Sequence, residues 1–335
     1  MPREYAARAG PWWSHRALAP LLTPLAPAGA RARLTVLIYH RVLPEPDPVI
    51  PGEVDAEKFR WHLQLVKRLF NPLPLAEAVQ GLRSGRLPAR PLCVTFDDGY
   101  ADNATVALPL LKEAGIPATF FVATDYLDGG MMFNDRIIES VRRLPDGLQD
   151  LDDLSLGRYE LSGPESRVSA YGAIIRLAKY LPQDAREALS QRLAERAGTP
   201  LPTDLMMRHE QVRTLRQAGM EIGGHTASHP ILTRVEDEQA MADIQRGRRV
   251  LEDLLDEPIT LFAYPNGRPG QDYEARHAAM AREAGFAAAV STAWGVSTTA
   301  TDPYQLPRFT PWDKTPLRFT ARLVRNLLNT NADKA

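Results

Sequence analysis

Residues 92–122 run β-favouring, then helical, then β-favouring again, and this alternation constrains the fold more than any other feature of the chain. Leu92-Cys93-Val94-Thr95-Phe96 is an apolar strand candidate, residues 102–114 have helical spacing, and Gly115 stops the helix. Pro117-Ala118-Thr119-Phe120-Phe121-Val122 is then a second strand candidate. Two strands joined through a helix lie parallel, because the crossover carries the chain back to the edge from which it started. Parallel strands must be covered by their helices, which makes the chain α/β.

The same alternation recurs on both sides. Residues 34–39 predict a first strand, and a proline-rich loop leads to helices over 55–70 and 74–84. Phe59, Leu63, Val66 and Leu69 in one, and Leu75, Ala78, Val79 and Leu82 in the other, fall on one face. Downstream, a helix at 208–218 precedes the strand Met220-Glu221-Ile222-Gly223-Gly224, a helix at 236–255 precedes a strand at 259–264, and a helix at 273–284 precedes a strand at 287–291. A last strand candidate lies at 306–309. Roughly seven strand candidates alternating with helices favour a (β/α) barrel, closed or incomplete, over an open doubly wound sheet.

One segment, from about 126 to 205, breaks the pattern. Residues 135–143, 170–180 and 184–197 look helical and are linked by polar Asp/Gly/Pro stretches, so the segment reads as a helical insertion covering one face of the core. Residues 1–32 read as an irregular Pro/Ala/Arg-rich arm whose Trp12-Trp13 docks on the body or a partner. Residues 33–315 are the barrel, and 316–335 a terminal helix with a short tail.

Composition bounds the function classes. A chain of 335 residues, 44% apolar, buries a sizeable core without staples, and its single cysteine, Cys93, excludes an intrachain disulfide. A formal net charge of −1 gives no electrostatic argument for nucleic acid. Arg3, Arg8 and Arg16 precede an apolar stretch at 17–30, but Pro20, Pro24 and Pro27 interrupt it before a signal-peptide core forms. No later stretch reaches the ~20 apolar residues of a membrane span. A cytoplasmic enzyme is the default expectation, with export or attachment to a membrane surface as the alternatives.

Two motifs carry chemistry. The strand at 92–96 ends in Asp97-Asp98-Gly99, two carboxylates delivered where the loops of an α/β fold gather. His225-Thr226-Ala227-Ser228-His229-Pro230 places two imidazoles at i and i+4, where both can face one cation from a helical turn. Each motif alone has a structural reading, as an Asp-Gly turn or as a capping pair. Together, two His and one Asp meet the three-ligand count of a catalytic metal site with an open position, and the other Asp is free to act as general base.

On these residues the sequence resembles the polysaccharide deacetylases that share the NodB homology domain, the family-4 carbohydrate esterases, in the branch that includes exopolysaccharide deacetylases. Thr95-Phe96-Asp97-Asp98-Gly99 matches the family's first motif, which implies Asp97 as catalytic base and Asp98 as metal ligand. His225 and His229 match the two histidine ligands of its second motif. The resemblance spans about 34–312 and implies a distorted (β/α)7-type barrel with the helical insertion between the two motifs. It also implies a divalent metal, zinc foremost with cobalt, nickel or iron as other candidates, and hydrolysis of an N-acetyl or O-acetyl group on a saccharide. Rival readings are a deformylase acting on a lipid-linked amino sugar and a barrel that binds saccharide without turnover.

The resemblance is incomplete around the base and the acid. Phe262-Ala263-Tyr264-Pro265-Asn266-Gly267 has Ala263 where the family's third motif has the Arg that orients the base, and Arg308 is the candidate to supply that guanidinium from elsewhere. The family's late Leu-x-His acid is absent. The last histidine, His277, falls on a helix and reads as solvated, and His40, at the end of the first strand, is the better candidate for a proton donor or substrate ligand. The Tyr100 backbone N–H is the candidate oxyanion donor, Tyr264 and Asn266 are candidate substrate contacts, and Trp294 or Trp312 a candidate sugar-stacking surface. The basic terminal helix packs on the barrel, with peripheral membrane contact as its second reading.

Overall fold

The computed structural model describes residues 19–335, and the expected docking of Trp12-Trp13 lies outside them. Its strands are β1 (Thr35–Tyr39), β2 (Val42–Leu43), β3 (Val54–Asp55), β4 (Asn71–Pro72), β5 (Pro91–Phe96), β6 (Ala118–Val122), β7 (Gly147–Asp150), β8 (Arg158–Leu161), β9 (Glu221–Gly224), β10 (Leu261–Ala263) and β11 (Ala288–Val290). The main sheet runs β1-β5-β6-β9-β10-β11, with β4 beside the start of β5, and every pairing in it is parallel. β1, β5, β6, β10 and β11 are buried along their whole length, as strands covered on both faces must be.

The sheet is curled, and residues 306–309 join its two edges. Leu306 N donates to Ala289 O at 3.0 Å and Ser291 N to Leu306 O at 2.8 Å on the β11 side. On the β1 side Phe309 N donates to Val36 O at 2.7 Å and Ile38 N to Phe309 O at 3.1 Å. The expected last strand is therefore a pair of single parallel bridges, Val290–Leu306 and Leu37–Phe309. Pro307 has no N–H to give to a longer ladder. The barrel is distorted at this stave.

Helices Ala56–Leu69, Leu75–Ser84, His209–Gln217, Asp237–Leu255 and Ala275–Glu283 lie within a few residues of their expected positions. The helix expected at 102–114 splits into a π-helical turn, Asn103–Ala107, and an α-helix, Leu108–Ala114, at Pro109, which cannot donate into an α ladder. The terminal helix Pro316–Leu328 is capped by Thr315 and buries Phe319, Leu323 and Leu327 against the barrel. The supposedly irregular arm is partly built in, with Leu22, Ala26 and Ala32 buried. No helix among the described residues is long and apolar enough to cross a membrane.

The insertion carries helices Phe133–Arg143, Pro164–Ala178 and Gln183–Ala197 over its own small core, which includes Ile137, Val141, Ile174 and Leu193. It also holds an antiparallel hairpin, β7–β8, that sequence reasoning missed. Gly147-Leu148-Gln149-Asp150 has no apolar run, and most of the hairpin's side chains face solvent.

Candidate active site

β5 delivers its two carboxylates at the C-terminal rim of the barrel. Asp97 N donates to Tyr39 O at 2.9 Å, so its position continues the β1–β5 pairing. The chain then reverses through Asp98 at φ 77° and Gly99 at φ 94°. A left-handed Asp costs about 1 kcal/mol or more, and such strain is kept where it aims a side chain.

Arg308, on the stave that closes the barrel, reaches Asp97. Its Nη1 and Nη2 donate to Oδ1 and Oδ2, both at 2.7 Å. Nε donates to Ser291 O at 2.8 Å and Nη1 also to Thr95 Oγ1 at 3.3 Å, so the guanidinium is held on several sides. Both partners are buried, Arg308 at 1% exposure and Asp97 at 2%. Burial opposes the Asp97 charge, but the guanidinium of Arg308 and the neighbouring His225 outweigh it and hold the carboxyl below the usual carboxylate range.

Asp98 points at the two histidines. Its Oδ1 lies 3.3 Å from His225 Nε2 and 3.4 Å from His229 Nε2. One ligand atom from each of Asp98, His225 and His229 falls within 4.8 Å of the others. Burial works against the Asp98 charge, yet the two imidazoles drive its pKa well down. His225 Nδ1 sits 2.7 Å from Ala263 O, which can only accept, so Nδ1 carries a proton and Nε2 faces the cluster. Ala263 thus serves the site through its carbonyl, a contribution its side chain does not signal. Burial lowers His229 to about 3 and keeps it neutral, the form that binds a cation. On His225 burial also opposes the charge, but bonding to Asp98 and the charge of Asp97 raise its pKa. Two imidazole nitrogens and a carboxylate oxygen converging in this way fit a divalent transition-metal ion.

The histidines converge from an irregular loop, where the spacing had suggested a helical turn. Thr226 at φ 63° and His229 at φ 52° bend it. Asp243, on helix Asp237–Leu255, fastens the loop by accepting from Ala227 N at 3.1 Å and Ser228 N at 3.0 Å, and Thr226 Oγ1 accepts from His229 N at 3.0 Å. One turn on, Gly247 lets that helix approach, since a Cβ there would stand 2.4 Å from the Thr226 carbonyl carbon. Gly247→Ala should push the loop away from Asp98, lowering both thermal stability and metal affinity, measured by melting and by metal titration. Asp243 and Gly247 carry no motif. Their only sequence signal is a carboxylate and a glycine on the apolar face of an amphipathic helix.

Asp97, Asp98, His225 and His229 line a pocket of about 320 Å³. His40, Glu53, Asn266 and Thr292 line it from the barrel, and Phe133, Ile175 and Lys179 from the insertion, which therefore walls the site as well as covering the core. Of the residues expected here, Asp97, Asp98, Tyr100, His225, His229, His40 and Asn266 line the pocket, and Arg308 stands behind Asp97. Tyr264 does not line it. Its ring stacks on Tyr273 at 3.9 Å and its hydroxyl donates to Tyr304 O at 2.9 Å, which makes it a core residue. Trp294 is likewise not in the pocket lining and lies under Arg325, 5.2 Å from the ring centre. Trp312 is 65% exposed. His277 is buried rather than solvated, its Nδ1 accepting from Glu274 N at 2.9 Å as part of a helix cap.

Asp135 is a buried neighbour that sequence reasoning missed. It accepts from the Tyr100 hydroxyl, 3.1 Å from Oδ1 and 3.0 Å from Oδ2, while Arg41 lies over the Tyr100 ring. Burial pushes its carboxyl up to about 7 against the pull of Arg41. The native state therefore holds a proton that the unfolded chain, with a pKa of about 3.9, releases. Its contribution to stability is complete below pH about 4 and is lost as pH rises to about 7, by about 4 kcal/mol. Asp135→Asn should flatten that part of the stability profile, measured by urea unfolding from pH 4 to 8.

The polysaccharide deacetylase family model matches residues 84–153 and 180–289, more than half of the chain. YxkH of Bacillus subtilis strain 168, whose name places it among polysaccharide deacetylases, is 20% identical over 278 residues, covering 83% of this chain and 71% of that one. Among solved structures, the deacetylase PplD of Streptococcus pyogenes aligns with a TM-score of 0.60 at 18% identity, over 88% of this chain and 98% of its own. IcaB of Ammonifex degensii aligns with a TM-score of 0.53 at 19% identity, over 90% and 98%. These similarities to solved structures show a common fold. With the family match over more than half of the chain, including Asp97, Asp98, His225 and His229, the chain belongs to the polysaccharide deacetylase family.

Proposed function

We propose that this protein is a divalent-metal-dependent hydrolase that removes N-acetyl groups from amino sugars of a bacterial polysaccharide or its glycan precursor. The observation that carries this reading is the juxtaposition of a buried, bidentate Arg308–Asp97 pair with the converging Asp98, His225 and His229. A cation held by those three residues, zinc foremost, would supply Lewis acidity toward the acetyl carbonyl and the attacking water.

The chain's own residues do the rest. Asp97, ionised and unable to rotate away from Arg308, takes the proton of the attacking water. The Tyr100 backbone N–H is the candidate donor to the oxyanion that develops on the carbonyl. His40, half-buried on the pocket wall, is the candidate to protonate the departing amine, and Asn266 to hold the sugar. Asp97, Asp98, His225 and Arg308 are buried, which strengthens the electrostatic interactions among them.

Acetate release from N-acetylated chitooligosaccharides by the metal-loaded protein tests the reading. Formate released from an N-formyl amino sugar, with no acetate from the acetylated one, would transfer the same chemistry to another amide. Absence of both acids would leave a barrel that binds saccharide without turnover.

A further inference from the structure

The insertion brings beside the site, behind Phe133, one buried cation that forms no ion pair among the described residues. Arg186 is 4% exposed, and its guanidinium makes no ion pair or hydrogen bond with any described residue, its Nε being buried without a partner. Its nearest acid in sequence, Glu187, gives Oε2 to Arg136 at 2.6 Å and acts on Arg186 only through space, without bonding to it. The guanidinium carbon stands 4.2 Å from the centre of the Phe133 ring, and Phe133 lines the pocket.

Helix Gln183–Ala197 fixes where this charge lies. Gln183 Nε2 donates to Ser228 Oγ at 3.2 Å, on the loop that carries His225 and His229, and Arg186 follows one turn later on the same face. The charge of Arg186 is felt at both His229 and Tyr126. Lys179, half-buried and in no ion pair within 4 Å among the described residues although its charge acts on Asp272, lines the pocket beside Phe133.

The pocket's acids do not offset these cations. Asp97 is matched by Arg308, and Asp98 faces the histidines and the cation site between them. Asp135 bonds to Tyr100, and Glu53 lies beside His40 and Arg41. A largely buried guanidinium with no anion bonded to it is costly, and an incoming anion relieves that cost. Its planar fork also matches a carboxylate or phosphate in shape.

We infer that Arg186 and Lys179 form an anion subsite, so that the pocket selects an acetylated glycan bearing a carboxylate or phosphate close to the amide that is cut. This rests on the deacetylase reading above and deepens it by naming the substrate's charge.

The test compares three soluble oligosaccharides of equal length: a neutral N-acetylhexosamine oligomer, one with a hexuronate adjoining the acetylated sugar, and one with a sugar phosphate there. Acetate release by the metal-loaded enzyme gives kcat/KM, and calorimetry with the Asp97→Asn protein gives binding without turnover. One anionic substrate should exceed the neutral one at least tenfold in both measurements, and which one does so distinguishes carboxylate from phosphate. The ratio should fall toward one in Arg186→Gln and Lys179→Gln, and partly recover in Arg186→Lys. Arg186→Gln should melt no lower than the parent, since it removes an unpaired buried charge, whereas a merely structural Arg would lower the melting temperature. If it fails to fold, the ratio in Lys179→Gln and Arg186→Lys decides. Equal handling of neutral and anionic glycans, or a preference untouched by these variants, overturns the inference. Charge-selective binding without acid release would instead leave the subsite standing and overturn the deacetylase reading.

Discussion

Asp97→Asn is expected to lower kcat by a factor of about 10²–10⁴ while the protein still binds one divalent cation, because a general base contributes on that order and the three ligating side chains are untouched. The amide carbonyl of Asn accepts no proton from water at neutral pH, but its size matches the buried site. Arg308 then keeps only one acceptor where it had two, so some loss of stability is expected alongside. Metal titration, a melting curve and the rate of acetate release separate these effects. Turnover close to the parent's would remove Asp97 from the role of base.

Arg308→Ala should have the second large effect, and it acts through Asp97. The pair is almost fully buried, and removing one member of such a pair leaves the other an uncompensated charge, which costs about 3–5 kcal/mol. Asp97 would relieve that cost by taking a proton, so its pKa should rise from its present depressed position. The sign follows. A carboxyl held low contributes stability above its unfolded pKa that is lost as pH falls, and without Arg308 that contribution vanishes. The acid limb of kcat/KM should move to higher pH in the variant, with metal affinity altered far less than the rate. Arg308→Lys should recover the charge but neither the two-point hold nor the bond to Ser291 O, and should fall between the two. An unchanged acid limb in Arg308→Ala would show that another group sets the protonation of the base.

Much of the site was legible in advance because its parts are short and local. Asp97 and Asp98 sit at the end of a short apolar, β-favouring run that is a buried strand in the fold. His225 and His229 follow another strand at a spacing that lets two imidazoles meet. The helices with sustained apolar faces lie where their period put them, because a 3.6-residue repeat survives whatever packs against it. What failed locally failed for local reasons. The hairpin at β7–β8 has no apolar run to announce it, and Pro109 splits a helix that apolar spacing alone draws as continuous.

Tyr264 and His277 show a different limit. Both stand beside motif-bearing or polar stretches, and both turned inward, one stacked in the core and the other closing a helix cap. Residue type says that a side chain can bind a ligand. Which way it faces depends on the curl of the sheet. Asp135 and Arg186 reverse the case, since each is an ordinary polar residue on a helix in sequence and lies shut against the pocket in the fold.

From the sequence came the βαβ alternation and the four residues Asp97, Asp98, His225 and His229, and the family resemblance marked Ala263 as standing where the third motif has an arginine. Only the tertiary structure decided that Arg308, the candidate named for that guanidinium, reaches Asp97. Asp97 and Arg308 are 211 residues apart, and they meet because residues 306–309 hydrogen-bond to β1 on one side and β11 on the other. No local propensity encodes that contact, because it exists only once the first and last staves of the barrel have been drawn together.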